Sequence, residues 1–230
     1  MQNPTIANKL SSNQKRFFAE LIGTFVVVVF ATGSVVLDAK YVGTFGLWFV
    51  ALAPAIAVAG MVYVFGKISM AHFNPAVTVG FLITKHTPKK LFLLYLVAEI
   101  IGAILGSIFV KYLIGTQAHL GANAPDYQFP IPVIFGVEIL TTALLMAVIL
   151  VVVHTKGLKG FSGIAIGGMV GLDIFFLAFI SGASMNPARS LAPALVSGYL
   201  NDLWLYWTST FIGSGFVAFV YNKIFKKRTE

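Results

Sequence analysis

The sequence contains no cysteine and very little charge: 8 acidic and 16 basic residues make up 10% of its 230 positions. Without cysteine there is no disulfide scaffold, no thiolate nucleophile and no cysteine-based zinc site, while the compartment is left undetermined. Soluble domains carry about 25% charged residues, so this scarcity excludes a soluble enzyme. Nor does the sequence offer a nucleophile and base converging in a recognisable set. What fills the chain instead is apolar, 58% of it, with charge-free stretches from Leu21 to Leu37, Tyr41 to Gly66, Ile68 to Thr84, Ile139 to Thr155 and Leu203 to Asn222. A helix of roughly 17 to 25 residues crosses a bilayer, and these stretches identify a membrane protein.

Hydrophobic runs predict spanning helices at about 17–37, 45–65, 91–113, 131–153, 162–180 and 204–224. The first is read as a retained helix rather than a signal peptide, because it is too long and has no small-residue cleavage site. Two further apolar segments, opened by Asn74-Pro75 and Asn186-Pro187, are only about ten residues long and cannot cross. With the amino terminus in the cytoplasm, Lys9, Lys15, Arg16, Lys67, Lys85, Lys89, Lys90, Lys156, Lys159, Lys223, Lys226, Lys227 and Arg228 all fall on that side. Lys40, Lys111 and Arg189 fall outside. That asymmetry sets orientation, places both termini in the cytoplasm, and makes the net charge of +8 a matter of topology and anionic lipid rather than nucleic acid.

The two halves repeat. Ile68-Ser69-Met70-Ala71-His72-Phe73-Asn74-Pro75-Ala76 aligns with Ile180-Ser181-Gly182-Ala183-Ser184-Met185-Asn186-Pro187-Ala188 at an offset of 112, with six of nine positions identical. Glu20 and Thr24 recur as Glu138 and Thr142, and Tyr95 and Gly102 as Tyr206 and Gly213. Three spans per half invert the second repeat (about 130–225) relative to the first (about 15–115), an arrangement that puts the functional site near the midplane. Proline in the first turn costs no hydrogen bond and a preceding Asn caps the free amides, so Asn-Pro-Ala starts a helix. The irregular chain before each Asn must be buried in protein or line water. Two short helices entering from opposite faces then aim their positive ends, with two Asn amide donors, at one point, where a cation or proton is repelled and a neutral hydrogen-bonding molecule passes.

On these residues, together with Ala19-Glu20-Leu21-Ile22-Gly23-Thr24 and Tyr206-Trp207, essentially the whole chain resembles the aquaporins of the major intrinsic protein family. The resemblance implies an all-α fold of six transmembrane helices plus two re-entrant half-helices, in one channel domain over residues 1–230. It implies a homotetramer in the cell membrane with a pore per subunit, passive conduction, and no cofactor or metal. The pore motifs would be Asn74, Pro75, Ala76 and Asn186, Pro187, Ala188, with both Asn donating to the permeant. Carbonyls of Met70, Ala71, His72, Phe73 and of Gly182, Ala183, Ser184, Met185 would form an acceptor ladder, and Glu20 and Glu138 would brace the loops through backbone amides. Counting from the motifs, the constriction falls on Pro54, Ile174, Ala183 and Arg189.

That constriction departs from the water-specific pattern, which usually has Phe at the position of Pro54 and His at that of Ile174. Ser190, Ala194 and Tyr206-Trp207 nevertheless match water-conducting members. The reading is therefore a channel for water and small neutral solutes such as glycerol, urea, hydrogen peroxide or ammonia. A strictly water-selective channel and a secondary transporter are the alternatives. Several single-residue readings stay open: Pro54 lines the pore or only kinks its helix, Ile174 faces pore or lipid, and Arg189 faces a cavity or snorkels. Glu20 and Glu138 brace or relay protons, Glu99 is neutral or paired across helices, and Asp173 lies at a pore mouth or a subunit interface. His72 is expected to order its loop, His86 and His119 to be surface histidines, and Gly102, Gly106, Gly213 and Gly215 to allow close helix approach.

Overall fold

The computed structural model describes residues 10–225. Of the basic residues assigned to the cytoplasmic side, Lys9, Lys226, Lys227 and Arg228 lie outside the described residues, as do the side chains of Lys156 and Lys159. Among the described residues six helices are long and apolar enough to cross a membrane: α1 (Ser12–Lys40), α2 (Gly46–Ser69), α4 (Lys89–Leu113), α6 (Ile131–His154), α7 (Ser162–Ser181) and α9 (Leu203–Phe225). Two short helices, α3 (Pro75–Ile83) and α8 (Pro187–Ser197), complete the halves, and a single turn α5 (Gln117–Gly121) sits in the loop between them. Helix α1 starts earlier than its apolar stretch because Ser11 and Gln14 form a capping box, with bonds of 2.8 and 3.3 Å, that carries the helix through Lys15 and Arg16.

Within each half the first helix packs on the second and the last, α1 on α2 and α4, α6 on α7 and α9; α2 and α7 then join the halves. Each short helix lies against the final spanning helix of the other half, α3 on α9 and α8 on α4, so the repeats interlock. Lipid tails are as apolar as leucine, so these helices are held by close packing rather than by expulsion of water. Glycine supplies it at matched positions: a Cβ on Gly102 would stand 2.3 Å from the Leu21 carbonyl oxygen, and one on Gly213 2.4 Å from that of Ile139. Gly106 meets the Phe25 carbonyl oxygen in the same way at 2.9 Å. Gly215 differs from expectation: its nearest neighbour, Ile83, would be 3.8 Å away, ordinary contact that needs no glycine. The largest core cluster draws Val27, Val62, Phe73, Phe81, Met146 and Ile149 from both halves and surrounds the two loops where α3 and α8 begin.

Candidate functional site

Helices α2 and α7 both stop at a left-handed residue, Met70 (φ 72°) and Gly182 (φ 86°). Positive φ recurs at Ala71 and Phe73 in one loop and at Ala183 and Met185 in the other. Such dihedrals cost roughly 1–2 kcal/mol for each non-glycine residue, so something must hold them. The fully buried carboxylates of Glu20 and Glu138 do. Glu20 accepts from the His72 and Phe73 amides at 3.0 and 2.7 Å. Glu138 accepts from the Ser184 amide at 2.9 and 3.2 Å, from Met185 at a longer 3.5 Å, and from the Ser181 hydroxyl at 2.8 Å. Ser69 and Ser181 turn the chain by accepting from the Ala71 and Ala183 amides at 3.1 and 3.2 Å, and Tyr95 and Tyr206 donate to the Ser69 and Ser181 carbonyls at 2.8 and 2.7 Å. Every part of the brace occurs twice, once per repeat.

His72 orders its loop, its ring nitrogens lying 2.8 Å from the Thr78 hydroxyl and 3.2 Å from that of Thr87. Beyond the braces, Asn74 and Asn186 cap α3 and α8, each Oδ1 accepting from the amide two residues on, at 2.9 and 3.0 Å. Their amide nitrogens cross between the repeats: Asn74 donates to the Met185 carbonyl at 2.7 Å and Asn186 to the Phe73 carbonyl at 2.9 Å. A side-chain amide has two N–H groups, so each Asn keeps one for another acceptor, and both border a central cavity. In the expected ladder the Phe73 and Met185 carbonyls are therefore engaged by protein, as is that of Gly182 by Asn123 at 2.9 Å. Those of Met70, Ala71, His72, Ala183 and Ser184 have no donor among the described residues.

The central cavity, about 60 Å³, runs past Asn74, Asn186 and Pro54. At roughly 10–15 Å³ per water it has room for about four to six molecules. A vestibule of about 290 Å³ adjoins it, bordered by Val50, His119 and Asn123. Ala31, Ile174, Ala183 and Arg189 border both spaces and so form the neck between them. Three of the four expected constriction residues thus meet. Pro54 is the exception: it lines the central cavity below the neck, within an α2 that runs unbroken from Gly46 to Ser69, and Ala31 takes the fourth place. Ile174 faces the cavity, not lipid.

Arg189 is 9% exposed and does not snorkel. Its Nη1 donates to the Gly121 carbonyl at 3.0 Å and to Asn123 Oδ1 at 2.6 Å. Asn123 Oδ1 also accepts from the Ser190 hydroxyl at 2.8 Å. The chain reaches this point through a left-handed turn at Ala118, His119 and Leu120 (φ 49°, 50° and 62°) ending on Gly121, where a Cβ would stand 2.6 Å from the Thr32 carbonyl oxygen. Nothing in the sequence marks Asn123 or Gly121, since an Asn in a polar loop has no periodicity to betray a partner 66 residues away. Beside the vestibule, His119 stacks on Tyr199 at 4.2 Å, and Tyr199 and Tyr127 both donate to the buried Asp202 carboxylate, which pushes the Tyr127 hydroxyl up to about 12.

Two acids sit apart from the pore. Glu99 is linked across helices, accepting from the Thr78 hydroxyl at 2.6 Å, while its other oxygen has no partner among the described residues. Asp173, placed by its sequence position at a pore mouth or subunit interface, is in fact 2% exposed within the subunit and borders neither cavity. Its helical register turns it a step away from Ile174 and into the bundle.

The model of the family described as "Major intrinsic protein" matches residues 7–221. Among similar proteins, "Probable aquaporin NIP4-2" of Arabidopsis thaliana is 36% identical over 90% of this chain and 74% of its own. "Probable aquaporin AqpM" of Archaeoglobus fulgidus is also 36% identical, over 93% of this chain and 98% of its own. The solved aquaglyceroporin from Plasmodium falciparum, 24% identical, has the same fold, with a TM-score of 0.76 over 92% of this chain and 96% of that one. With an inverted repeat of six spans, two half-helices meeting nose to nose and a family match across nearly its whole length, the chain belongs to the major intrinsic protein family of aquaporin channels.

Proposed function

We propose that this channel conducts water together with small neutral solutes such as glycerol, urea, hydrogen peroxide or ammonia, and excludes protons and ions. The observation that carries the permeant range is the neck: Ala31, Ile174 and Ala183 offer aliphatic surface, and Arg189 is its one charged donor. A neck without an aromatic or imidazole wall leaves both width and apolar contact for the carbon backbone of a small polyol. Ion exclusion rests on the converging positive ends of α3 and α8, the free N–H of Asn74 and of Asn186, and the Arg189 guanidinium. A permeant water that accepts from both Asn cannot at the same moment accept from its neighbour in the file, which interrupts proton hopping.

The same reading makes the protein a homotetramer in the cell membrane with both termini cytoplasmic. Lys15, Arg16, Lys67, Lys85, Lys89, Lys90 and Lys223 stand at one end of the spans, against Lys40 and Lys111 at the other, which is the charge bias of a cytoplasmic face. The test is stopped-flow light scattering of reconstituted vesicles after an outward step in glycerol. Rapid shrinkage followed by re-swelling above that of empty vesicles supports the reading. Rapid shrinkage alone means strict water selectivity, and saturable flux with a steep temperature dependence means a transporter.

A further inference from the structure

Helix α6 has two working faces. Leu145 and Ile149 line the central cavity. Ala147, Leu150 and Val151 turn away from it and, with Val217, Val220 and Ile224 of α9, line a separate cavity of about 240 Å³. The two helices touch closely where a Cβ on Gly213 would stand 2.4 Å from the Ile139 carbonyl oxygen. Past that contact α9 presents Val217 and Val220 instead of glycine, and a groove opens between the helices down to their ends at Thr155 and Phe225. At 1.5 Å per residue it runs about 12 Å along either helix. That is close to the roughly 15 Å that one leaflet contributes to a hydrocarbon core about 30 Å thick. Val151 and Ile224 are 55% and 53% exposed, so the groove is open to the outside of the bundle.

The mouth of the groove is basic. Exposed Lys223, one turn beyond Phe219, holds its ammonium 4.9 Å from the centre of that ring. A lysine on an apolar surface carries its charge to the headgroup layer on its four-carbon stem. In the sequence Lys156 follows Thr155, and Lys226, Lys227 and Arg228 follow Phe225. Among the described residues no Asp or Glu stands in the loops or helix ends on this side of the bundle, so no carboxylate offsets the charge. Tyr221 stacks on Phe225 at 5.0 Å, and aromatic rings of this kind mark the boundary between hydrocarbon and headgroups. A basic pocket between spanning helices suits an anionic headgroup, whereas a zwitterionic one leaves the charge unanswered. We propose that the groove between the ends of α6 and α9 is a binding site for an anionic phospholipid, with an acyl chain lying in the groove and the phosphate held at its basic mouth. The site lies outside the pore and does not depend on what the pore passes.

The experiment is native mass spectrometry of the purified full-length protein, in detergent supplemented with phosphatidylglycerol or with phosphatidylcholine of the same acyl chains. The expected result is saturable retention approaching one phosphatidylglycerol per chain, at least fivefold above phosphatidylcholine. Val151→Trp, which fills the groove, should lower that retention at least fivefold. Leu93→Trp, on an equally exposed stretch of α4 near the same basic end, should leave it unchanged. Replacing Lys223, Lys226 and Lys227 together by Gln should lower phosphatidylglycerol to the level of phosphatidylcholine. Melting temperatures measured without added lipid show which variants are folded, and the lysine variant decides the matter if Val151→Trp is not. Equal retention of the two lipids by wild type overturns the proposal, as does a groove closed by a neighbouring subunit, which would retain neither. Wild-type retention in folded Val151→Trp would mean that surface charge alone attracts the lipid, and wild-type retention in the lysine variant that charge plays no part; either overturns the site.

Discussion

Asn123→Ala is the sharpest perturbation of the neck, because one loop side chain holds Arg189, Ser190 and the Gly182 carbonyl together. The bond to the guanidinium is charge-assisted, worth about 1.5–3 kcal/mol, and the two neutral bonds about 0.5–1.5 kcal/mol each. Together they set an upper limit of about 6 kcal/mol. Asn123 borders the vestibule, however, so water reaches the groups it leaves and recovers most of that. The net destabilisation should be about 1–2 kcal/mol, a fall in Tm of about 2–8 °C at the slopes typical of a chain this size. Arg189 keeps the Gly121 carbonyl but loses its shorter bond, so its guanidinium moves more freely across the neck. Glycerol flux relative to water should then rise about twofold or more in reconstituted vesicles. An unchanged Tm with an unchanged flux ratio would refute the role given to Asn123, and a fall well beyond 10 °C would mean that the vestibule is dry.

Ile174→His puts a donor and a ring into the neck and should cut glycerol flux while sparing water. Adding Pro54→Phe should change the flux ratio little further, because Pro54 lies below the neck; equal loss of both permeants would sink this placement. Glu138→Gln replaces one acceptor oxygen with a donor that faces amide hydrogens, and should cost about 2–4 kcal/mol in thermal unfolding. Glu99→Gln, which can keep the single Thr78 bond, should cost under about 1 kcal/mol, and the reverse ranking would contradict the bracing role. Gly213→Val drives a side chain into the Ile139 carbonyl and should cost about 3 kcal/mol or more, whereas Gly215→Ala, in open contact, should stay within about 0.5 kcal/mol. Folded yield and Tm in detergent check both.

The spans, their inverted order and the two Asn-Pro-Ala starts were legible in the sequence because each is a local property. A charge-free run can satisfy its backbone in lipid only as a helix, an odd number of passes inverts the second repeat, and Asn before Pro caps whatever helix comes next. The matched carboxylates Glu20 and Glu138 were legible for a related reason, since a buried acid in an apolar helix must find donors and the repeat supplies the same donors twice. Only the tertiary structure decided how the halves interlock and what the neck is made of. Ala31 borders both the central cavity and the vestibule while Pro54 borders only the former, because the packing of α1 and α2 sets which residue meets which space, and sequence spacing does not contain that. Asn123 and Gly121 reached Arg189 through a left-handed turn whose close approach to α1 no local sequence pattern announces, and Asp173 turned inward because residues one step apart on a helix point about 100° apart. A single chain thus dictates which residues lie at membrane depth, while contacts between segments far apart in sequence settle which of them touch the permeant.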